Sequence, residues 1–135
     1  MWKLSVNNMS ASVLFAVYIF LVCVCAVSGI SVSGHCSEHD MVVTQGNMGP
    51  RYNGIPGYLV SILNVCTTGC SISNVHLSCG WFASAIEINP ATFKRLKYND
   101  CLVNGGKPIK AGQTVYFTYA NTFPCTLKLS AFTCS

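Results

Sequence analysis

Three cysteines lie close together near the middle of the sequence, in the stretch CTTGCSISNVHLSCGWF that runs from Cys66 to Phe82. As thiolates, Cys66, Cys70 and Cys79 could hold a metal ion, and as oxidised residues they could form disulfides. Structural zinc sites usually combine two closely spaced pairs of ligands, and the second pair is missing here. We therefore predict no metal site and expect these cysteines to form disulfides.

The other residues that could catalyse a reaction do not form a recognisable pattern. His39 and Asp40 are neighbours on a predicted strand, so their side chains point in opposite directions. His76 lies on the outward face of its strand, where we expect a solvated surface histidine. The sequence contains no Gly-x-Ser-x-Gly motif. A carboxylate pair for glycoside hydrolysis would have to come from a set of four: Glu38, Asp40, Glu87 and Asp100. We predict no catalytic site, no cofactor and a protein that is not an enzyme.

The N-terminal segment has the composition of a secretory signal peptide. Lys3 gives a positive start, residues 13–27 form an uncharged apolar run, and small residues follow at Ser28 and Gly29. The run is short for a membrane-spanning helix, which needs about 20 residues, so a membrane anchor is the less favoured alternative. We predict a signal peptide over 1–28, cleaved after Ser28 or Gly29, a leader over 29–35 and a cysteine-rich domain over 36–135. The mature protein would then have no membrane anchor.

The cysteine content predicts a domain that is stabilised by disulfides. Cys23 and Cys25 leave with the signal peptide, so seven of the nine cysteines remain. In a small secreted chain most of them should be paired, and three bridges at about 2–4 kcal/mol each would supply a large share of the stability. Because seven is an odd number, one thiol is free or pairs with another chain.

The charges are sparse and mildly basic. Charged residues make up only 9% of the chain, without the dense basic stripe of a nucleic-acid-binding protein. Lys94, Arg95 and Lys97 form one basic cluster beside Tyr98. A solvated face is the simpler interpretation of this cluster. The alternative is a contact surface for an acidic partner, because exposed arginine beside aromatic residues is typical of interfaces.

Short alternating segments separated by turn residues predict an all-β fold. Val75, Leu77 and Cys79 alternate with polar residues, which is the pattern of a half-buried strand over residues 73–80. Trp81 and Phe82 follow it, and if the strand continues only one of these two rings can enter the core. Further strands are predicted at 39–45, 58–65 (a central strand covered on both sides), 86–88, 101–103, 114–120 and 126–134.

The connections complete the predicted architecture. Residues 46–57 contain four glycines and two prolines and are predicted to be a loop. Residues 93–99 fit an edge strand or a helical turn equally well, and residues 104–106 form a tight turn. Residues 121–125 are expected to join the last two strands as a hairpin, with Leu127, Leu129 and Ala131 pointing inward. The whole is a small antiparallel β-sandwich stapled by disulfides.

Four short motifs give the predicted domain a resemblance to a known family. They are GCSISN at 69–74, CGWF at 79–82, DCLVN at 100–104 and YANTFP at 119–124. The region from Cys36 to Cys134 resembles the plant tapetum determinant family of small secreted proteins. The founding member is a ligand of a leucine-rich-repeat receptor kinase and specifies anther tapetal cells. The resemblance implies a ligand secreted to the apoplast that binds a receptor kinase ectodomain and influences cell fate or reproductive development.

The resemblance also assigns the cysteines. The family has an aromatic residue, usually Tyr, at the position of Cys125, so Cys125 is the odd thiol. It should form a mixed disulfide or a disulfide-linked homodimer. The six framework cysteines of the family correspond to Cys36, Cys66, Cys70, Cys79, Cys101 and Cys134.

Two kinds of partner remain open for the predicted domain. As a receptor ligand, it would use a surface for which we name Trp81, Phe82, Lys94, Arg95 and Lys97. As a cell-wall carbohydrate-binding module without catalysis, it would stack Trp81, Tyr52 or Tyr98 on sugar rings.

Overall fold

The computed structural model of the chain describes residues 10–26 and 35–134. The described residues fall into two compact units, residues 10–26 and residues 35–134. The first unit contains helix α1 (Ala11–Ala26), which overlaps most of the uncharged run over residues 13–27. Among the described residues, no helix has the length and apolar character needed to cross a membrane. The predicted cleavage site and residues 29–34 of the predicted leader lie outside the described residues.

The second unit is built from two antiparallel sheets, which confirms the predicted all-β class. The three-stranded sheet has the order β1-β2-β6 and the four-stranded sheet the order β4-β5-β3-β7. The strands are β1 (Met41–Tyr52), β2 (Ile55–Asn64), β3 (Ile72–Ser78), β4 (Phe93–Lys97), β5 (Asp100–Val103), β6 (Thr114–Ala120) and β7 (Lys128–Cys134).

One core is shared by the inner faces of both sheets. Val60 and Ile62 of β2 are buried, and Phe117 of β6 joins them from the same sheet. Val75 and Leu77 of β3 contribute from the other sheet, so the alternation predicted for residues 73–80 holds. The outer positions of the strands remain partly or fully exposed, because successive side chains of a strand point to opposite faces. In β2 the exposed outer residue Leu59 shows that the strand is central in its sheet but is not covered on both sides, so that part of the prediction is wrong.

Three disulfides tie this unit together. Cys36 is bonded to Cys134 at the end of β7, with Cα atoms 5.8 Å apart. Cys66–Cys70 closes the loop after β2, and Cys79–Cys101 joins the end of β3 to β5, with Cα separations of 5.8 and 6.1 Å. Among the cysteines of residues 35–134, Cys125 is the one outside these bridges.

The predicted loop over residues 46–57 is wrong. These residues form the outer part of a long hairpin in which β1 and β2 continue to pair up to Tyr52 and Ile55. The chain reverses at Asn53 and Gly54, whose φ angles are 46° and 78°. Two positive φ angles are what a tight hairpin turn requires, and Asn-Gly is its strongest signal. The glycines and prolines on either side obscured that signal.

Two further predictions are wrong because they concern long-range pairing. Residues 86–88 are not a strand and belong to an irregular segment before β4, in which the Ala85 N–H donates to the Ala120 carbonyl at 2.7 Å. Residues 121–125 do not form a hairpin, because β6 pairs with β2 in one sheet and β7 with β3 in the other. This segment therefore crosses from one sheet to the other.

The inward face of β7 also differs from the prediction. Leu127 and Leu129 pack against the core as expected, but Phe132 does so in place of the exposed Ala131. The register of β3 against β7 shifts between His76 and Leu77, which pair with Ala131 and Leu129. This bulge adds one residue to β7 and reverses the faces of the positions beyond it.

Candidate functional site

The chain between β3 and β4 places two adjacent aromatic rings in opposite environments. Trp81 is 75% exposed and Phe82 only 7% exposed. The strand ends at Ser78, so the separation does not come from strand alternation. It comes from the turn at Gly80, whose φ of 54° is a left-handed conformation that glycine adopts readily.

Phe82 packs between the two sheets. Its ring lies 4.9 Å from that of Phe93 in β4 and 5.1 Å from that of Tyr119 in β6, both in edge-to-face arrangements. A more distant edge-to-face contact, at 6.5 Å, reaches Phe117. Edge-to-face pairs of this kind add to the stabilisation from burial. The Phe82 side chain is therefore a core residue and is not available to a partner, which corrects its place among the receptor-contact candidates.

Trp81 forms an exposed cluster with two neighbours. Its ring centroid lies 4.6 Å from that of Tyr98, with the planes inclined by 45°. The Arg95 guanidinium carbon lies 6.0 Å from the Trp81 ring centroid, within the range of a cation–π interaction. Arg95 Nη1 also donates a hydrogen bond of 3.1 Å to the Phe82 carbonyl, which fixes the guanidinium beside the ring. Trp81, Tyr98 and Arg95 are called the Trp81 patch below.

The register of β4 divides the predicted basic cluster. Arg95 is opposite the fully buried Cys101, whereas Lys94 is opposite Leu102 and Lys97 is opposite Asp100. Opposite residues of an antiparallel pair lie on the same face of the sheet. The two lysines therefore start from the outer face of the four-stranded sheet, and Arg95 starts from the inner face at its edge.

A recess of about 360 Å³ adjoins Trp81. One of its lining residues is Asn99, which has a φ of 58° and whose Oδ1 accepts hydrogen bonds from Ser78 Oγ at 2.7 Å and the Gly80 N–H at 2.9 Å. The sequence analysis does not predict this role of Asn99. The available signal is its residue type, because Asn is enriched among residues that adopt a left-handed backbone conformation in turns. The lining residues are Ser78, Cys79, Gly80, Trp81, Asn99, Cys125 and Thr126.

Cys125 is half-buried at this recess. Its backbone N–H donates a hydrogen bond of 2.7 Å to the Tyr119 hydroxyl, and its carbonyl accepts one of 3.3 Å from Gln45 Nε2. The Tyr119 hydroxyl in turn donates to Gln45 Oε1. Burial raises the pKa of Tyr119 to about 12. The backbone of Cys125 is thus fixed by hydrogen bonds to Tyr119 and Gln45, and its sulfur lies 3.9 Å from Asn121 Nδ2.

Two other groups of polar residues have structural roles. His76 is not simply solvated, because its Nδ1 lies 2.6 Å from Asp100 Oδ1 and both side chains are about one-quarter exposed. Asp40, Cys66 and Cys70 bring potential metal-ligand atoms within 4.8 Å of one another. The two sulfurs form a disulfide, so they are not thiolate ligands.

Comparison with known proteins identifies the family. The family model described as "Tapetum determinant 1, C-terminal" matches residues 37–135. TPD1 protein homolog 1 of Arabidopsis thaliana is 46% identical over 99 residues, covering 73% of this chain and 55% of that protein. TPD1 protein homologs 1A and 1B of Oryza sativa subsp. japonica are 40% and 44% identical, covering 75% and 73% of this chain and 47% and 58% of theirs.

These comparisons cover part of each relative. The chain spans about half the length of the curated relatives it matches. No solved structure matches the chain. The matched region contains both sheets of the second unit and the Trp81 patch. On the agreement of the family model and these relatives, the chain belongs to the tapetum determinant family.

Proposed function

We propose that the chain is a secreted signalling protein that binds the ectodomain of a leucine-rich-repeat receptor kinase and influences cell fate or reproductive development. Family membership supports the signalling role. The receptor class follows from the resemblance to the founding member. In this proposal the domain acts by binding and not by catalysis.

Secretion is part of the proposal. Residues 1–28 act as a signal peptide, and the cysteine-rich domain is released into the extracellular space without a membrane anchor. The uncharged run over residues 13–27 supports this, as do the three disulfides, since disulfides persist in oxidising compartments. N-terminal sequencing of protein collected from culture medium tests it, with a start near Gly29 or Ile30 expected. Recovery of residues 1–27 in a membrane fraction would contradict it.

The observation that carries the receptor proposal is the Trp81 patch. A tryptophan that is 75% exposed would bury a large apolar area on binding, and Tyr98 beside it is 56% exposed. Trp, Tyr and Arg are the residues most enriched among binding hot spots. The patch is held in place before binding by Tyr98 and by the Arg95 hydrogen bond to the Phe82 carbonyl, so little conformational entropy is lost there.

A panel of receptor ectodomains tests the proposal. The secreted, disulfide-bonded protein is incubated with immobilised leucine-rich-repeat ectodomains, together with Trp81→Ala and Tyr116→Ala. Tyr116 is a matched control, because it is 59% exposed on the outer face of the three-stranded sheet. We expect wild type and Tyr116→Ala to be retained by at least one ectodomain. Trp81→Ala should bind about 30-fold more weakly, since a hot-spot truncation costs about 2 kcal/mol or more.

A second function is favoured by the exposed aromatic residues alone. Tyr52 is 50% exposed at the end of the β1–β2 hairpin, in addition to Trp81 and Tyr98. Such rings would allow the domain to bind cell-wall polysaccharides without catalysis. A polysaccharide array run beside the ectodomain panel separates the two functions. Retention on glucans with no retention on any ectodomain would replace the receptor proposal with this one.

A further inference from the structure

The cations of β4 have no acidic partner among the described residues. The two ion pairs found there both involve histidine, His39 with Glu38 and His76 with Asp100. Asp40 instead accepts a hydrogen bond from the backbone N–H of Ser37 at 2.7 Å. The positive charges of Lys94, Arg95 and Lys97 are therefore not neutralised by a carboxylate contact in this part of the chain.

Arg95 differs from the two lysines in being fixed. One of its five N–H donors is used on the Phe82 carbonyl, and the guanidinium lies against Trp81. A fixed guanidinium with donors to spare is suited to a carboxylate, because its fork matches the two carboxylate oxygens. Asn99 adds a second donor at the recess beside Trp81, since Oδ1 accepts both of its side-chain hydrogen bonds and the side-chain NH2 group has no partner among them.

We infer that the Trp81 patch receives an acidic segment of the receptor ectodomain, with a carboxylate of that segment paired to Arg95 beside the Trp81 ring. This inference rests on the proposed function and names the chemistry of the partner. Lys94 and Lys97, which start from the other face of β4, attract the acidic segment during approach without being buried in the contact. Arg95 thus sets the lifetime of the complex, and the lysines set its rate of formation.

The geometry favours an acidic protein over an acidic polysaccharide. The planes of Trp81 and Tyr98 are inclined by 45°, whereas a chain of flat sugar rings stacks best on rings that share one plane. Trp81 is also contacted by both Tyr98 and Arg95, which reduces the ring face left for stacking. A protein side chain can instead lie beside the Trp81 ring and place its carboxylate against the Arg95 guanidinium, which lies 6.0 Å from the ring centroid.

Binding kinetics at low and high salt test the inference on the ectodomain that the panel retains. Arg95→Gln should raise Kd about 10-fold or more, mainly through faster dissociation, and part of this effect should persist in high salt. A Lys94→Gln and Lys97→Gln double variant should slow association a few-fold at low salt only. Lys110→Gln, at an exposed lysine outside β4, is the control for loss of charge and should match wild type. Poly-glutamate should compete with the ectodomain, and polygalacturonate should compete less.

Different outcomes separate this inference from the proposed function. If wild type binds no ectodomain, the receptor proposal fails and the inference fails with it. If wild type binds but Arg95→Gln behaves like Lys110→Gln, the receptor proposal stands and the acidic contact is wrong. Stronger competition by polygalacturonate would assign the patch to an acidic glycan and also overturn it. Arg95→Lys, which keeps the charge without the fork, should bind between wild type and Arg95→Gln, and all variants must unfold as wild type does.

Discussion

The contrast between Phe82 and Trp81 gives the sharpest prediction about stability. Phe82 is 7% exposed and touches aromatic rings in both sheets, so Phe82→Ala opens a cavity where the sheets meet. Truncation of a buried phenylalanine costs about 3–5 kcal/mol. Trp81→Ala removes a side chain that is 75% exposed, and the free energy of unfolding should change by about 0.5 kcal/mol or less.

The loss expected for Phe82→Ala is large relative to the total free energy of unfolding. A domain of this size unfolds with a free energy of about 5–15 kcal/mol, so Phe82→Ala removes a substantial part of it. Phe82→Leu is the matched variant, because it keeps most of the apolar volume while losing the edge-to-face contacts. It should cost clearly less than Phe82→Ala.

Equilibrium urea unfolding under non-reducing conditions measures these differences. Circular dichroism follows the loss of the sheets, and the intact disulfides keep the unfolded state comparable between variants. We expect the order of stability to be wild type and Trp81→Ala, then Phe82→Leu, then Phe82→Ala. Equal losses for Trp81→Ala and Phe82→Ala would refute the reasoning, because Trp81 would then be part of the core and not a surface for a partner.

Three further predictions concern other residues. Asn64→Ala should lower the free energy of unfolding by about 2–5 kcal/mol, because it leaves the Cys66 N–H and the Cys70 and Ile109 carbonyls in the core without their side-chain partner. An unchanged midpoint in urea unfolding would contradict this. Tyr119 should show a late titration, above the ordinary tyrosine pKa, by ultraviolet absorbance. Its folded pKa of about 12 exceeds the ordinary 10.0, so its contribution to stability is complete below pH 10 and falls as pH rises toward 12. A Tyr119→Phe variant that keeps the late titration would disprove the assignment. Cys125→Ser should remove any disulfide-linked dimer from non-reducing gels and leave the fold intact, whereas a bridge from Cys125 to a framework cysteine in peptide maps would show that the odd thiol lies elsewhere.

The sequence was most informative where burial alternates along one strand. Residues 114–120 and the stretch around Val75 and Leu77 were assigned correctly, because one face of each strand enters the core and the other does not. The Asn53-Gly54 pair is itself a signal for a hairpin turn, but the glycines and prolines around it are equally typical of a loop, so the local sequence does not decide between the two.

Pairing between distant strands could not be obtained from local patterns. Residues 121–125 have the length of a hairpin loop, yet they cross between sheets because β6 is paired with β2. The bulge opposite His76 depends on the register of β7 against β3, which no local signal in Thr126–Cys134 reveals.

The candidate site was predicted in part. The sequence indicates the two rings after Gly80 and the basic residues of β4 as candidates. It does not show which ring is buried or which of the basic residues lie on the same face of the sheet. Phe82 enters the core because the chain turns at Gly80, and Arg95 is separated from Lys94 and Lys97 by the register against β5. The contact between Trp81 and Tyr98 depends on the hairpin that joins β4 to β5, so it could not be seen before the strands were placed.

The most direct test of the account is a calorimetric titration of the secreted protein into a purified leucine-rich-repeat receptor kinase ectodomain. The account predicts saturable binding, weakened about 30-fold by Trp81→Ala and unchanged by Tyr116→Ala, as expected for a hot-spot residue and a matched exposed ring. If no heat of binding is measured with any ectodomain, while the same preparation binds glucans, the claim that this family member is a receptor ligand is contradicted.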